Sequence, residues 1–491
     1  MKRVVLATCA ALVGCDRGIV VTVHGRPALS MPRTLTVAAD ASSAHAEGTL
    51  RIPVSAELPL TFVVDTTGLE GDIAIAVDGL DGTRLTGRGA TNAAADAAAA
   101  DITLEPADFV VNRERVVGDQ LLTGESTYGS RQLAAGPDGR FLVTWQGDHS
   151  AWARTFDERA RPQQNAETGT DREFELPTDP INETGVVAAA HTAGSYGLVW
   201  QELVHPNGFM QLSIQPYRDD TGAARDRGVI VQGPGVRLPA IAGLAVGAFA
   251  VTWIAAADPY TSTGEVQLRV IDPVDPSPPA TPVSVGVADR IGTDAPAVAG
   301  LVDGGAVVAW SVTDAFDRAR IVARVFDGTV ARTGQLAIAA PDAGPARLSL
   351  PQVTALPDGG FAVAWFADAV GAPAIQARWF DADGAPRGPA VTVAEGVQEH
   401  TPAIAASASG VAIAWVDGKD DQRRVRLQRY GLDGTPIGAS MAVATTDGLQ
   451  RTPSLAPLGD QGFIVAWTDG SQQAPDDSMA AVRARVIYTV P

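Results

Sequence analysis

Pro351-Gln-Val-Thr-Ala-Leu-Pro-Asp-Gly-Gly-Phe-Ala-Val-Ala-Trp365 is one copy of a motif that recurs seven times, each copy ending in tryptophan: Trp145, Trp200, Trp253, Trp310, Trp365, Trp415 and Trp467. Successive copies are 50 to 57 residues apart, and they account for seven of the nine tryptophans. Inside each copy the period is two. Two positions before the Trp stand Val143, Leu198, Val251, Val308, Val363, Ile413 and Val465, and four before it stand Phe141, Tyr196, Phe249, Ala306, Phe361, Val411 and Phe463. These side chains share one face of a strand with the Trp. The residue directly before the Trp is small or β-branched (Ala309, Ala364, Ala414, Ala466, Thr144, Val199, Thr252) and faces the other way. Bulk on one face and small residues on the other suit sheets packed face to face around a ring.

Each copy supplies four strand candidates. A small-residue strand such as Pro296-Ala-Val-Ala-Gly300 opens it, with Pro where the missing N–H does least harm. A tight Asp-Gly turn follows, where glycine can take positive φ. Then come the Trp strand, an Arg-rich alternating strand (Ile375-Gln-Ala-Arg-Trp-Phe380), a second Asp-Gly turn and a Val-rich strand (Ala390-Val-Thr-Val-Ala394). Four antiparallel strands every fifty-odd residues is the pattern of a β-propeller blade. The last copy stops after its third strand, Val482-Arg-Ala-Arg-Val-Ile-Tyr488, and the orphan stretch Val117-Gly-Asp-Gln-Leu-Leu-Thr-Gly124 aligns with the segment from Ile437 that precedes the seventh Trp. Pairing of residues 117–123 with 482–488 would close the ring and hide two strand edges.

Ahead of the repeats, Asp16 to Asp108 carries short alternating runs (Ile19-Val-Val-Thr-Val23, Leu60-Thr-Phe-Val-Val64, Ile73-Ala-Ile-Ala-Val77) split by Gly and Asp turns. Such runs suggest an immunoglobulin-like sandwich; Ala93 to Ala100 reads as a loop or a short helix. At the very start, Lys2 and Arg3 lead into an apolar run ending Leu12-Val13-Gly14-Cys15, too short to span a bilayer. That ending resembles the lipobox of bacterial lipoproteins, which implies cleavage before Cys15 and lipidation of its sulfur. The chain as a whole resembles bacterial envelope lipoproteins with an immunoglobulin-like module before a propeller. The expected fold is therefore all-β: a signal peptide over 1–14, an immunoglobulin-like β-sandwich over 15–108, and over 109–491 a seven-bladed β-propeller of four-stranded blades closed by an N-terminal strand.

Composition narrows the partners. There are 37 basic and 56 acidic side chains, a net charge of −19, which repels nucleic acid and anionic lipid surfaces. The two cysteines, Cys9 and Cys15, both lie in the leader and anchor, so no thiol remains for a disulfide, a metal cluster or a nucleophile.

Beyond the Trp strand, six of seven copies place a carboxylate in what reads as a loop: Asp148, Glu202, Asp314, Asp368, Asp417 and Asp469. Such a ring could hold Ca²⁺ through oxygen ligands or attract a cationic partner; equally, an acidic protein with Asp-rich loops shows this spacing without a ligand. No copy carries the Asp-x-Asp-x-Asp-Gly spacing of a calcium loop, and Asp381-Ala-Asp383-Gly384 lacks the carboxylate that its twelfth position, Thr392, would need. His149, His205 and His400 could reach the same face, as could Arg290, Arg347 and Arg451 from loops entering first strands. Arginine beside carboxylates suits an anionic sugar or forms surface pairs of little consequence. No His-Glu-x-x-His or Gly-x-Ser-x-Gly motif is present. The sequence thus reads as a monomeric, lipid-anchored envelope protein whose propeller binds another envelope protein or a polysaccharide. An exported glycan-acting hydrolase or lyase is the alternative, and a His–carboxylate pair converging on one face would distinguish it.

Overall fold

A computed structural model describes the chain except residues 1, 4–6, 9–17, 27–28, 42–43, 68–69, 83, 113–131, 147–150, 164–172, 177–183, 205–208, 220–223, 258–262, 277–280, 289–294, 314–317, 341–345, 370, 398–400, 420–421, 446–447, 461, 472–479 and 490–491. The described residues form strands and turns, with no helix long and apolar enough to cross a membrane. They divide into two compact units, Met1–Asp108 with Arg485–Tyr488, and Phe109–Ala484 with Thr489–Pro491.

In the first unit, strands Ala44–Arg51, Thr34–Ala41, Asp72–Asp81 and Arg84–Ala94 pair antiparallel in that order. Gly18–Gly25 pairs antiparallel with Leu60–Asp65 and parallel with Ala99–Pro106. Alternate residues enter one core: Ile19, Val21 and Val23, Leu35 and Val37, Ile73, Ile75 and Val77, Ile102 and Leu104. The alanine-rich stretch is neither helix nor loose loop. Strand runs to Ala94, a turn follows, and strand resumes at Ala99, with Ala93, Ala95, Ala97 and Ala100 packed on that core. The backbone of Lys2–Arg3 lies beside Ala46 and Glu47, and that of Ala7–Thr8 beside Val63 and Phe62.

The second unit is a seven-bladed β-propeller. Among the described residues each Trp lies in the second strand of its own antiparallel sheet: Phe141–Gln146, Ser195–Val204, Phe249–Ala256, Ala306–Thr313, Phe361–Ala369, Gly410–Asp417 and Gly462–Asp469. We number the blades 1 to 7 by these strands. Blade 5 shows the plan, Ala346–Ala355, Phe361–Ala369, Pro373–Phe380 and Val391–Glu395 in sequence order; blade 4 splits its fourth strand into Val330–Ala331 and Leu336–Ala339. The Asp-Gly turns behave as their sequence requires, with φ of +84° at Gly139, +92° at Gly304 and +93° at Gly359.

The two-faced pattern of the Trp strands builds the ring. The bulky face of one blade buries against the small-residue face of the blade before it: Trp365 packs with Val307, Ala309 and Ile321 of blade 4, Trp415 with Ala364 of blade 5, and Trp253 with Ala188 and Val199 of blade 2. Arginines on the third strands add a second tie. Arg154, Arg269 and Arg378, each opposite the residue two before the Trp, donate to carbonyl oxygens on the outer strand of the preceding blade: Val111, Ile230 and Ile338.

The ring closes on an N-terminal strand, earlier in the chain than expected. Phe109 and Val110 pair antiparallel with Ala484 and Arg483, the Val111 N–H donates to the Val482 carbonyl (2.7 Å), and the Val482 N–H donates to Asn112 Oδ1 (2.8 Å). Phe109 also meets the Phe156 ring of blade 1 at 5.6 Å. The expected partner, 117–123, lies outside the described residues. At the hub, the Gln132 N–H of blade 1 donates to Ser454 Oγ of blade 7 (3.1 Å), and Thr192 Oγ1 of blade 2 donates to the Leu244 carbonyl of blade 3 (2.9 Å). The inner strands approach so closely that a Cβ on Gly243 would overlap the His191 carbonyl, and one on Gly300 would overlap the Gly243 carbonyl.

Proline at the start of the first strand is only half of the pattern. Strands begin directly after Pro296 and Pro402 in blades 4 and 6. In blades 3, 5 and 7 they run on through Pro239, Pro351 and Pro453 by a bulge. The residues before those prolines, Leu238, Leu350 and Thr452, sit at φ +57°, +54° and +47°, sparsely populated for non-glycine residues.

Candidate functional site

Second-to-third-strand loops and the entries to the next first strands lie at the Trp end of the blades; the other two turns of each blade lie at the opposite end. Of the residues expected at the Trp end, Asp148, His149, His205, Asp314, Arg290 and His400 are outside the described residues, as is Cys15. The others are Glu202, Asp368, Asp417, Asp469, Arg347 and Arg451.

These four carboxylates do not sit in loops. Each lies inside its Trp strand, which continues two to four residues past the Trp. At two positions past it, a side chain returns to the Trp face, and this accounts for what Glu202 and Asp469 do. Glu202, 1% exposed, accepts from Trp200 Nε1 (3.3 Å), Gln211 Nε2 (2.8 Å) and Ser213 Oγ (2.7 Å) and forms an ion pair with Arg227, whose guanidinium lies over the Trp200 ring. Asp469 accepts from Trp467 Nε1 (3.4 Å), from the Ser471 hydroxyl and from Arg483 Nε (3.0 Å), its side chain 1% and that of Arg483 4% exposed. Asp417 accepts from the Gly418 N–H (2.8 Å) and stands 3.8 Å from Arg426. Asp368 accepts from the Gly371 N–H (2.8 Å) and faces Arg347 across the strand pair, and Arg451 faces Thr468. Among the described residues no three His, Cys, Asp or Glu side chains are grouped to hold a metal ion. Trp379 is a core residue, its ring 5.3 Å from that of Tyr430.

A different group forms at the opposite end, between blades 1 and 2. His191 is the last residue but one of the first strand of blade 2 and Tyr196 is the second residue of the next, directly opposite each other beside a tight hairpin. His191 Nε2 is 3.1 Å from Asp219 Oδ2, with the His side chain 9% exposed, and its ring meets Tyr196 edge-on at 5.0 Å. The Tyr196 hydroxyl is buried without a hydrogen-bond partner. Burial holds its phenol protonated far above the ordinary range, and the carboxylates of Asp138 and Asp219 reinforce this. His191 is visible in the sequence, but its partner is 28 residues on, a spacing with no motif. The usable signal is the two-residue hairpin that places His191 against Tyr196.

The same end carries ion pairs that brace the turns. Arg332 holds Asp303 (2.7 Å) and Asp327 in blade 4, and Arg387 holds Asp358 (2.6 and 2.9 Å) in blade 5. Hydrogen bonds from these arginines are the main cause that lowers the pKa of Asp303 and Asp358 below the ordinary 3.8. A carboxylate depressed on folding contributes stability above its unfolded pKa and loses it as pH falls through the lower, folded value. The melting temperature should therefore fall as pH drops below about 4, and less steeply in Asp303→Asn/Asp358→Asn. An identical acid limb in that variant would show that the pairs do not contribute. At the Asp381 turn, Asp381 Oδ1 accepts from the N–H groups of Asp383 (3.1 Å) and Ala385 (2.7 Å), so that aspartate shapes a hairpin.

No family model and no curated protein matches the chain. Solved structures that it resembles include a protein of unknown function from Dyadobacter fermentans, 12% identical over 76% of this chain and 99% of that one, TM-score 0.42. They also include an ulvan lyase representing a new polysaccharide lyase family, 9% identical over 78% and 96%, TM-score 0.48. A third is an α-L-arabinofuranosidase from Fusarium graminearum, 11% identical over 60% and 90%, TM-score 0.41. Likeness at these identities and scores says nothing of activity.

Proposed function

We propose that this is an extracytoplasmic envelope lipoprotein, anchored through Cys15, in which an immunoglobulin-like sandwich precedes a propeller serving as a rigid platform for a protein or polysaccharide ligand. The reading is supported by the fate of two Trp-end carboxylates: Glu202 in blade 2 and Asp469 in blade 7 are buried and bonded by donors of their own blade, a construction that stiffens the ring and engages both carboxylates structurally. The membrane is reached through the lipid alone. Expressed in cells, the full chain should partition into detergent and the Cys15→Ser chain into the aqueous phase; aqueous partitioning of both would remove the anchor from the reading.

A glycan-acting hydrolase or lyase is the second reading, favoured by one observation, the His191–Asp219 pair beside a protonated Tyr196 hydroxyl. Thermal melts and chain-cleavage assays with the same panel of acidic and neutral glycans separate the two, since a ligand of the folded state raises the melting temperature. The platform reading expects no cleavage of any glycan. Cleavage that disappears in His191→Asn would replace it with the enzyme.

A further inference from the structure

Blade 3 departs from blades 4 and 5 at one turn. The link between first and second strands is the same hydrogen-bonded loop in blades 3, 4 and 5: Leu244 N–H to the Ala248 carbonyl (2.8 Å), Leu301 to Gly305 (2.8 Å) and Leu356 to Gly360 (2.8 Å). In blades 4 and 5 its third residue is an aspartate, Asp303 or Asp358, which caps the N–H two residues on and pairs with an arginine. In blade 3 that residue is Val246, 70% exposed. The loop forms there without the capping carboxylate, and an isopropyl group faces water where a stabilising aspartate would fit.

It is not isolated. The other turn of blade 3 presents Val274, 67% exposed, and the two turns of blade 4 present Val302 and Val330, 53% and 69% exposed. All four are on the end of the blades opposite the Trp residues. Adjacent turns lean on one another: a Cβ on Gly304 would fall 2.8 Å from Val246 Cγ1. Apolar exposure gathered on the turns of two adjacent blades marks an interaction surface, unlike apolar side chains scattered over a whole protein. Its border is acidic. Asp272 and Asp275 flank Val274, Asp303 follows Val302 and Asp327 precedes Val330, while Arg332 is the one cation among the described residues of these turns.

We propose that this valine patch on blades 3 and 4 docks a protein segment in which apolar residues are flanked by arginine or lysine. The inference rests on the platform reading and assigns its ligand class and its face. Four isopropyl groups offer no hydrogen bonds to sugar hydroxyls, and the carboxylate border repels acidic polysaccharide while attracting a cationic chain.

The test uses the full chain and a fluorescent peptide of alternating arginine and leucine, with a glutamate-for-arginine counterpart, read by anisotropy. The arginine peptide should bind, weaken about tenfold in Val246→Ser/Val302→Ser, weaken again in Asp272→Asn/Asp275→Asn, and lose affinity between about 50 and 500 mM salt. Val54→Ser, at an exposed valine of the first unit, should bind as the parent does. Equal affinity in the serine variant, or equal binding of the glutamate peptide, would overturn the proposal. So would self-association of the chain that the serine variant abolishes, which would make a second copy the occupant. Glycan cleavage, which would sink the platform reading, is measured separately and leaves the peptide result interpretable.

Discussion

Gly243→Ala should lower the melting temperature of the protein more than substitution of any exposed glycine. Gly243 ends the first strand of blade 3, and its Cβ position is occupied by the His191 carbonyl of blade 2. The obstruction is backbone, so no side chain can swing away; one inner strand must move, and the hub passes the displacement to blade 4 through the Gly300–Gly243 approach. Overpacking of this kind costs about 3 kcal/mol or more where relief is blocked, a fall of about 5 °C or more in melting temperature. Gly334→Ala is the control, because nothing lies within 4 Å of its Cβ position. Calorimetry of the two variants decides the matter: equal melting temperatures would mean that the hub is loosely packed.

The second large effect is expected at blade 7. Asp469→Ala removes a carboxylate that is 1% exposed and takes its ion pair from the Arg483 guanidinium, 4% exposed. Breaking one side of a buried pair costs about 3 to 5 kcal/mol, whereas replacing both sides by apolar residues is often neutral. Asp469→Leu/Arg483→Met should therefore recover most of the stability lost by Asp469→Ala. Denaturant melts give the cycle. If the single variant costs under about 1 kcal/mol, the pair behaves as a solvated surface bridge and the argument from burial fails.

The ring was legible because its signal is short-range and repeated. Trp, the apolar residues at two and four before it, and the small residue at one before it encode both faces of a blade, and the shared cores of Trp365 with Ala309 and of Trp415 with Ala364 realise that pattern. The closure strand was legible in kind only. The stretch from Val117 aligns with the segment from Ile437, but Phe109-Val110-Val111 is selected by partners that no local pattern reveals: the Phe156 ring, the Arg154 guanidinium, and a strand near the other end of the chain. Glu202 and Asp469 read as loop residues in the sequence, since a polar residue after a strand reads as loop until one knows that a buried Trp N–H awaits it two residues back. The His191–Asp219 pair depends on the register of three strands within blade 2, which brings residues 28 apart together, whereas the valine patch depends on which turns the ring makes neighbours, a property of assembly.

The closure also orders events in time. Asn112 and Val482 are hydrogen-bonded across 370 residues, so the strand that completes blade 7 is made before the first tryptophan and must wait for the last. Blades 1 to 6 can each form from nearby chain, whereas the seventh forms only when two distant ends meet, a search whose entropic cost is met late and slows folding. A chain threaded through a membrane from its N-terminus would emerge with that strand idle and its edge open. The interval before it is paired is when the molecule is most vulnerable to proteases and to strand exchange with another copy of itself.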